Sequence, residues 1–139
     1  MIDIHGDIFK YHEIHNKNVG ILHCVSADYV MFYGFAYEIE KRYNLREFFM
    51  TVGKHNYPDL IVCDRVFSMV VTPKYWHKIN PNILRETLLI TRDKCLEDGI
   101  DTLLMPKIGC GYGGLNWSDI RDDIKYILDE SDINCIVYH

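Results

Sequence analysis

The sequence lacks the features of a disulfide-stapled, metal-stapled or membrane-inserted protein. Its five cysteines are odd in number and include no Cys-x-x-Cys pair, so we interpret them as reduced thiols and expect no metal and no other cofactor. No apolar run approaches the roughly 18 residues of a membrane span. The first residues also lack the basic and then apolar pattern of a signal peptide. We therefore expect a cytoplasmic protein with no membrane partner.

An excess of positive charge is also absent. The 15 Lys and Arg residues stand against 20 Asp and Glu residues, which gives a net charge of -5. A protein that holds nucleic acid mainly by its phosphates carries a basic face, and no basic stripe is visible in this chain. We therefore expect no strong non-specific binding to nucleic acid, although a nucleic acid that carries a modified group remains open as a substrate.

What is present is the composition of an ordinary globular domain. The chain has 139 residues, of which 48% are hydrophobic and 25% charged. A chain of this length buries roughly two-thirds of its unfolded surface, so it can form a hydrophobic core without disulfides or a structural metal. We expect one domain over residues 1–139.

Apolar periodicity predicts strands that alternate with amphipathic helices. Asp64-Arg65 has the length of a tight turn between two strands. Asn80-Pro81 is typical of a helix start, and Gly99 is placed to end that helix. The alternation of predicted strands and helices along the chain implies a three-layer α/β/α sandwich with a largely parallel or mixed central sheet. The predicted strands are 2–8, 19–25, 60–62, 66–71, 102–106 and 133–138; the predicted helices are 35–43, 45–52 (an extension or a second helix), 80–99 and one that begins at Asn116.

A glycine-rich loop follows the predicted strand 102–106. Residues 109–114 read GCGYGG and precede the last helix. Glycines let the backbone approach a ligand and turn its N–H groups inward, which suits a phosphate or a pyrophosphate. The loop is not a Walker loop, because no Lys-Ser/Thr follows. The alternative is a tight strand-to-helix connection without a ligand.

The segment from Pro106 to Trp117, PKIGCGYGGLNW, resembles the signature of macrodomains in the terminal ADP-ribose glycohydrolase class, and especially that of the DNA ADP-ribosyl glycohydrolase antitoxins. Three other segments resemble the family in the same order along the chain. Residues 6–9 read GDIF, residues 23–28 read HCVSAD, and residues 70–77 read VVTPKYWH. The resemblance implies the macrodomain fold and the removal of ADP-ribose from macromolecules.

The resemblance also implies roles for individual residues. Lys74 corresponds to the catalytic lysine, whose amine attacks or assists at the anomeric carbon of the distal ribose. Asp7 corresponds to the aspartate at the adenine end of the ligand, and at its place after a glycine a buried carboxylate could accept the adenine amino group. Without the resemblance, Lys74 reads as a solvated lysine after a strand. The implied ligand-binding residues are Asp7, Ile8, Ser26, Met31, Gly34, Ala36, Thr72, Gly109, Cys110, Gly111, Tyr112, Gly113, Gly114 and Leu115.

Two positions depart from the family pattern. Residues 31–36 read MFYGFA where the family has M-G-x-G-[IL]-A, so Phe32 replaces a glycine. Either this loop takes another path or the rings of Phe32 and Tyr33 line the pocket. Eukaryotic members place an acidic residue where this chain has Gly113, whereas the DNA-directed members carry glycine there.

These observations predict an ADP-ribose-binding macrodomain that acts as an ADP-ribosyl glycohydrolase on a protein or a nucleic acid. Three alternatives stay open: a reader of ADP-ribose without catalysis, a phosphatase of ADP-ribose 1″-phosphate, and a scaffold with a closed pocket. His12 and His15 favour a surface pair over a metal site, and Trp117 is expected to anchor the last helix by packing.

Overall fold

The computed structural model describes residues 1–10, 18–31, 34–53, 56–111 and 113–139. The pair His12 and His15, and the residues Phe32, Tyr33 and Tyr112, lie outside these ranges. Within the described ranges, no helix is both long enough and apolar enough to cross a membrane.

The described strands form one six-stranded mixed sheet in the order β1-β6-β5-β2-β4-β3. All neighbouring strands are parallel except β3, which pairs antiparallel with β4. The strands are β1 (Ile2–Ile4), β2 (Val19–Ser26), β3 (Asp59–Cys63), β4 (Val66–Thr72), β5 (Thr102–Met105) and β6 (Asn134–Tyr138). The helices are α1 (Gly34–Tyr43), α2 (Leu45–Val52), α3 (Pro81–Asp98) and α4 (Trp117–Ile127), followed by a 3₁₀ turn at Asp129–Ser131.

Helices cover both faces of the sheet, so the predicted α/β/α sandwich is confirmed. Neighbouring side chains on a strand point to opposite faces, and Ile21 and Leu22 accordingly belong to different core clusters. The Leu22 cluster includes Leu84 and Leu88 of α3 and Ile120, Ile124 and Ile127 of α4. The Ile21 cluster includes Ile39 of α1 and Leu45 and Phe49 of α2. Trp117 is half-buried and packs against the Leu22 cluster, as expected of a packing anchor.

The local signals for turns and helix ends are confirmed. Asp64 and Arg65 have φ angles of 46° and 64°, the left-handed pair of a two-residue hairpin turn between β3 and β4. The Asn80 side chain accepts a hydrogen bond from the Asn82 N–H at the start of α3. Gly99 ends that helix with φ of 72°, which costs a glycine no steric strain.

The first strand is shorter than predicted. It ends at Ile4 instead of Ile8, and residues 8–10 are helical. Asp7 Oδ1 accepts a hydrogen bond from the Phe9 N–H at 3.0 Å, a local bond by which aspartate favours turns and helix starts over strands. Residue 7 is exposed, so its carboxylate is not a buried acceptor.

Candidate functional site

An open cleft of about 390 Å³ lies at the carboxyl ends of β2, β4 and β5. Open α/β sheets bind ligands at this edge, where the loops that leave the strands diverge. The volume is within the range of small-molecule sites. Its walls are the ends of β2 and β4, the first turn of α1, the turn after β4 and the loop after β5. The residues that line it are His23, Cys24, Val25, Ser26, Val30, Gly34, Phe35, Ala36, Val71, Thr72, Tyr75, His77, Ile79, Pro106, Lys107, Ile108, Gly109, Gly111 and Gly113.

The glycine loop forms one wall with its backbone. Gly109 has φ of 75°, and its carbonyl accepts a hydrogen bond from the Leu115 N–H at 3.0 Å, which closes the loop. The Gly113 carbonyl accepts from the Ile79 N–H at 3.1 Å and ties the loop to the segment before α3. A Cβ on Gly111 would meet nothing within 4 Å, so the cleft is open beside this residue. Backbone without side chains is the surface that an anionic diphosphate needs for close approach.

Gly113 is glycine for a packing reason. A Cβ at this position would lie 2.5 Å from Ile79 Cδ1 and 2.8 Å from the Gly109 carbonyl oxygen. The second atom is backbone and is held by the bond to Leu115, so it has little room to move. The acidic residue that eukaryotic members carry at this position therefore does not fit this loop as it stands.

His23 on β2 is a neutral polar group in the cleft wall. Burial lowers its pKa from 6.5 to about 3, so the ring is uncharged near pH 7. Its Nε2 lies 2.6 Å from Ser68 Oγ, while Nδ1 has no hydrogen-bond partner among the described residues. The Phe35 ring meets the imidazole edge-on, with 6.3 Å between centroids. This histidine therefore adds no charge to the cleft near pH 7.

The two cysteines near the cleft are protonated thiols. The pKa of Cys24 is raised to about 12, mainly by burial and also by the nearby Cys110, with a backbone hydrogen bond from Gly109 acting in the opposite direction. Burial also raises the pKa of Cys110. A nucleophilic cysteine must be a thiolate, so neither residue has the electrostatic setting of a nucleophile.

Lys74 lies in the turn after β4 and is exposed, and it is not among the residues that line the cleft. Its carbonyl accepts hydrogen bonds from Thr72 Oγ1 at 3.0 Å and from the His77 N–H at 3.1 Å, which fix the backbone of the turn. Its neighbours Tyr75 and His77 do line the cleft. The structure therefore places the predicted lysine at the rim.

Apart from Tyr112, which lies outside the described residues, the other predicted ligand-binding residues form four groups. Seven of them line the cleft: Ser26, Gly34, Ala36, Thr72, Gly109, Gly111 and Gly113. Ile8 and Met31 are buried in the Ile21 cluster, Asp7 is exposed, and Cys110, Gly114 and Leu115 belong to the glycine loop without lining the cleft. Their roles in binding stay predictions.

The predicted site omitted several polar residues that line the cleft, among them His23 and Lys107. It also omitted Tyr75 and His77. The available signal was the run of three aromatic side chains, Tyr75-Trp76-His77, directly after a strand end. A second cleft of about 500 Å³ adjoins the first, and Val71, Thr72 and His77 line both. Trp76, 57% exposed, lines the second cleft and packs edge-on against His77, with 4.1 Å between ring centroids.

This architecture, with its cleft at the carboxyl ends of the strands, is the macrodomain fold. The macrodomain of Mycobacterium tuberculosis DarG superposes with a TM-score of 0.83 at 17% identity, and the match covers 99% of this chain and 95% of that one. Thermosipho africanus DarTG, solved in complex with ADP-ribose, superposes with a TM-score of 0.77 at 16% identity, over 98% of this chain and 40% of that one.

In sequence, the chain is similar to the ADP-ribose glycohydrolase OARD1. It is 26% identical to the Bos taurus protein and 26% identical to the Homo sapiens protein, each over 97% of this chain and 88% of the relative. The resemblance to the terminal ADP-ribose glycohydrolase class is thereby confirmed over nearly the whole chain. No family model matches the sequence.

Proposed function

We propose that this protein binds ADP-ribose and hydrolyses the bond that joins ADP-ribose to a protein or a nucleic acid. The observation that carries the proposal is a cleft walled by the glycine loop, in a chain similar over 97% of its length to an ADP-ribose glycohydrolase. A related fold is also known with ADP-ribose bound.

In this proposal the glycine loop holds the diphosphate. Gly109, Gly111 and Gly113 present backbone to the cleft, and N–H groups in such a nest complement negative charge. The loop is pre-formed by its own hydrogen bonds, so little ordering is required when the ligand binds. Asp7, which is exposed in the segment that follows β1, would contact the adenine.

Lys74 is the proposed catalytic residue. Its backbone carbonyl accepts hydrogen bonds from Thr72 and His77, two residues that line the cleft. From this position at the rim, its side chain would reach the ligand by turning toward the cleft. There the amine would either displace the acceptor group from the anomeric carbon of the distal ribose, to form an adduct that water then hydrolyses, or assist the departing acceptor electrostatically while water attacks that carbon. The rim position of Lys74 also favours a second candidate, a reader that binds ADP-ribose without turnover.

The expected setting is the cytoplasm, without membrane binding or strong non-specific binding to nucleic acid. The five free thiols and the net charge of -5 support this part of the proposal.

The first experiment is a calorimetric titration with ADP-ribose, followed by hydrolysis assays on an ADP-ribosylated peptide and an ADP-ribosylated oligonucleotide. Binding together with release of ADP-ribose supports the glycohydrolase, and binding without release supports the reader. Release of phosphate from ADP-ribose 1″-phosphate would identify the phosphatase. Absence of binding at millimolar ligand would overturn the proposal.

Lys74→Ala is expected to abolish release of ADP-ribose while ADP-ribose binding stays within about threefold, because the lysine acts at the bond that breaks and not on the diphosphate. Lys125→Ala, in the last turn of α4, is the matched control and is expected to retain full turnover. Full activity of the Lys74 variant would remove this residue from the mechanism.

A further inference from the structure

Asp28 has a set of hydrogen bonds that the proposed mechanism does not use. Its Oδ1 accepts from the hydroxyl of Ser26, and at 3.4 Å from the Val30 N–H. Its Oδ2 accepts from the Tyr75 N–H at 3.1 Å, across 47 positions of sequence. One carboxylate therefore binds both its own loop and the turn after β4.

The two segments that Asp28 joins form facing parts of the cleft rim. Ser26, the last residue of β2, and Val30, in the loop that follows, line the cleft, and Tyr75 lines it from the turn that also carries Lys74. A backbone hydrogen bond from the Ala27 N–H to the Thr72 carbonyl, at 2.8 Å, joins the same two segments. Beyond Thr72, the bond from the Tyr75 N–H to Asp28 also joins the turn to the loop after β2.

Hydrogen bonds to an ionised carboxylate are about twice as strong as neutral ones and hold a fixed geometry. The Tyr75 N–H is adjacent in sequence to Lys74, so its orientation sets the direction in which the lysine side chain leaves the backbone. We propose that Asp28 is a positioning residue, which clamps the turn after β4 so that Lys74 is presented at the cleft rim. This inference rests on the proposed function for its catalytic consequence.

The clamp itself is tested by hydrogen exchange of the Tyr75 amide. Asp28→Ala is expected to raise the exchange rate of this amide at least about tenfold, while amides of the central strands β2 and β5 keep their protection. Glu40→Ala is the matched control, because Glu40 Oε2 also accepts an exposed backbone N–H, that of Arg46 at 2.5 Å, away from the cleft. An unchanged Tyr75 amide in Asp28→Ala would overturn the clamp, whatever the protein's activity.

The catalytic consequence is tested by separating turnover from binding. Asp28→Ala is expected to lower kcat at least about tenfold, because small misplacements of a catalytic group are costly, and to change ADP-ribose affinity much less. Asp28→Asn keeps one carbonyl oxygen as an acceptor and is expected to recover part of kcat. Equal loss of kcat in both variants, or a loss confined to KM, would overturn the positioning role. Failure of the wild-type protein to bind ADP-ribose would instead overturn the proposed function, and Tyr75 exchange would still decide the clamp.

Discussion

At the scale of single residues, the cleft depends on groups whose neighbours leave them little freedom. His23 is uncharged because it is buried, and Gly113 lacks a side chain because Ile79 and the Gly109 carbonyl occupy the space. Each constraint gives a prediction that is independent of catalysis.

His23 makes the stability of the protein depend on pH. Its pKa is lowered to about 3 in the folded state, so between pH 6.5 and 3 the unfolded chain binds a proton that the folded chain does not. Stability is therefore complete above about pH 6.5 and falls by about 1.4 kcal/mol per pH unit below it. We expect His23 alone to cost about 2 kcal/mol between pH 7.5 and pH 5, as measured by urea unfolding. His23→Gln should show a correspondingly flatter profile, and an equally steep one would contradict the assignment.

Gly113→Asp would place the eukaryotic acidic residue in this loop. The added Cβ would meet Ile79 Cδ1 and the Gly109 carbonyl at 2.5 and 2.8 Å, so the loop must shift. We expect a loss of roughly 1–3 kcal/mol in the free energy of unfolding, together with weaker ADP-ribose binding. Gly111→Ala is the control for stability, because its Cβ would meet nothing within 4 Å. Equal thermal unfolding temperatures for the two variants would show that the loop accommodates a side chain at position 113.

At the scale of the elements, the helix that follows the glycine loop begins with a side-chain cap. Asn116 accepts a hydrogen bond from the Ser118 N–H at 3.0 Å, directly after the loop ends at Leu115. The cap fixes the point at which α4 starts, and the buried face of α4 at Ile120 and Ile124 then fixes the helix against the sheet.

Asn116→Ala is expected to lower the free energy of unfolding by about 1 kcal/mol, the usual cost of losing an N-cap. Asn116→Ser retains a side-chain acceptor and should lose only a few tenths of this amount. Chemical denaturation of the three proteins compares them directly. If the alanine and serine variants are equally destabilised, the loss does not come from the cap.

At the scale of the whole molecule, the cleft is part of the central sheet. Its walls include the ends of β2, β4 and β5, which are adjacent in the strand order and fully packed on both faces. A ligand held there binds only the folded state, so binding is coupled to global unfolding.

ADP-ribose at about 100 times its Kd is expected to stabilise the protein by about 2.7 kcal/mol and to raise Tm by several degrees. A scan of thermal unfolding against ligand concentration measures this effect. ADP-ribose binding that is seen by calorimetry but leaves Tm unchanged would place the ligand on a part of the chain that unfolds separately from the sheet.

Local patterns in the sequence were sufficient to predict most of the strands and helices. These signals act over only a few neighbouring residues, so they can be recognised without knowing the tertiary structure. They are the alternation of apolar positions, the Asp64-Arg65 turn, and the helix caps at Asn80 and Gly99. The glycine loop after β5 was equally local. The error at residues 5–8 arose because a short alternation resembled a strand, whereas the bond between Asp7 and Phe9 favours a turn.

The residues that surround the cleft are brought together by packing between distant segments of the chain. The strand order brings the end of β4 beside the end of β2, and this contact places Tyr75 and His77 in the wall and Lys74 at the rim. The same tertiary packing buries Met31, keeps the buried His23 ring uncharged, and brings the Asp28 carboxylate within hydrogen-bond distance of the Tyr75 N–H. These properties depend on distances between segments about 45 residues apart, which no local pattern in the chain encodes.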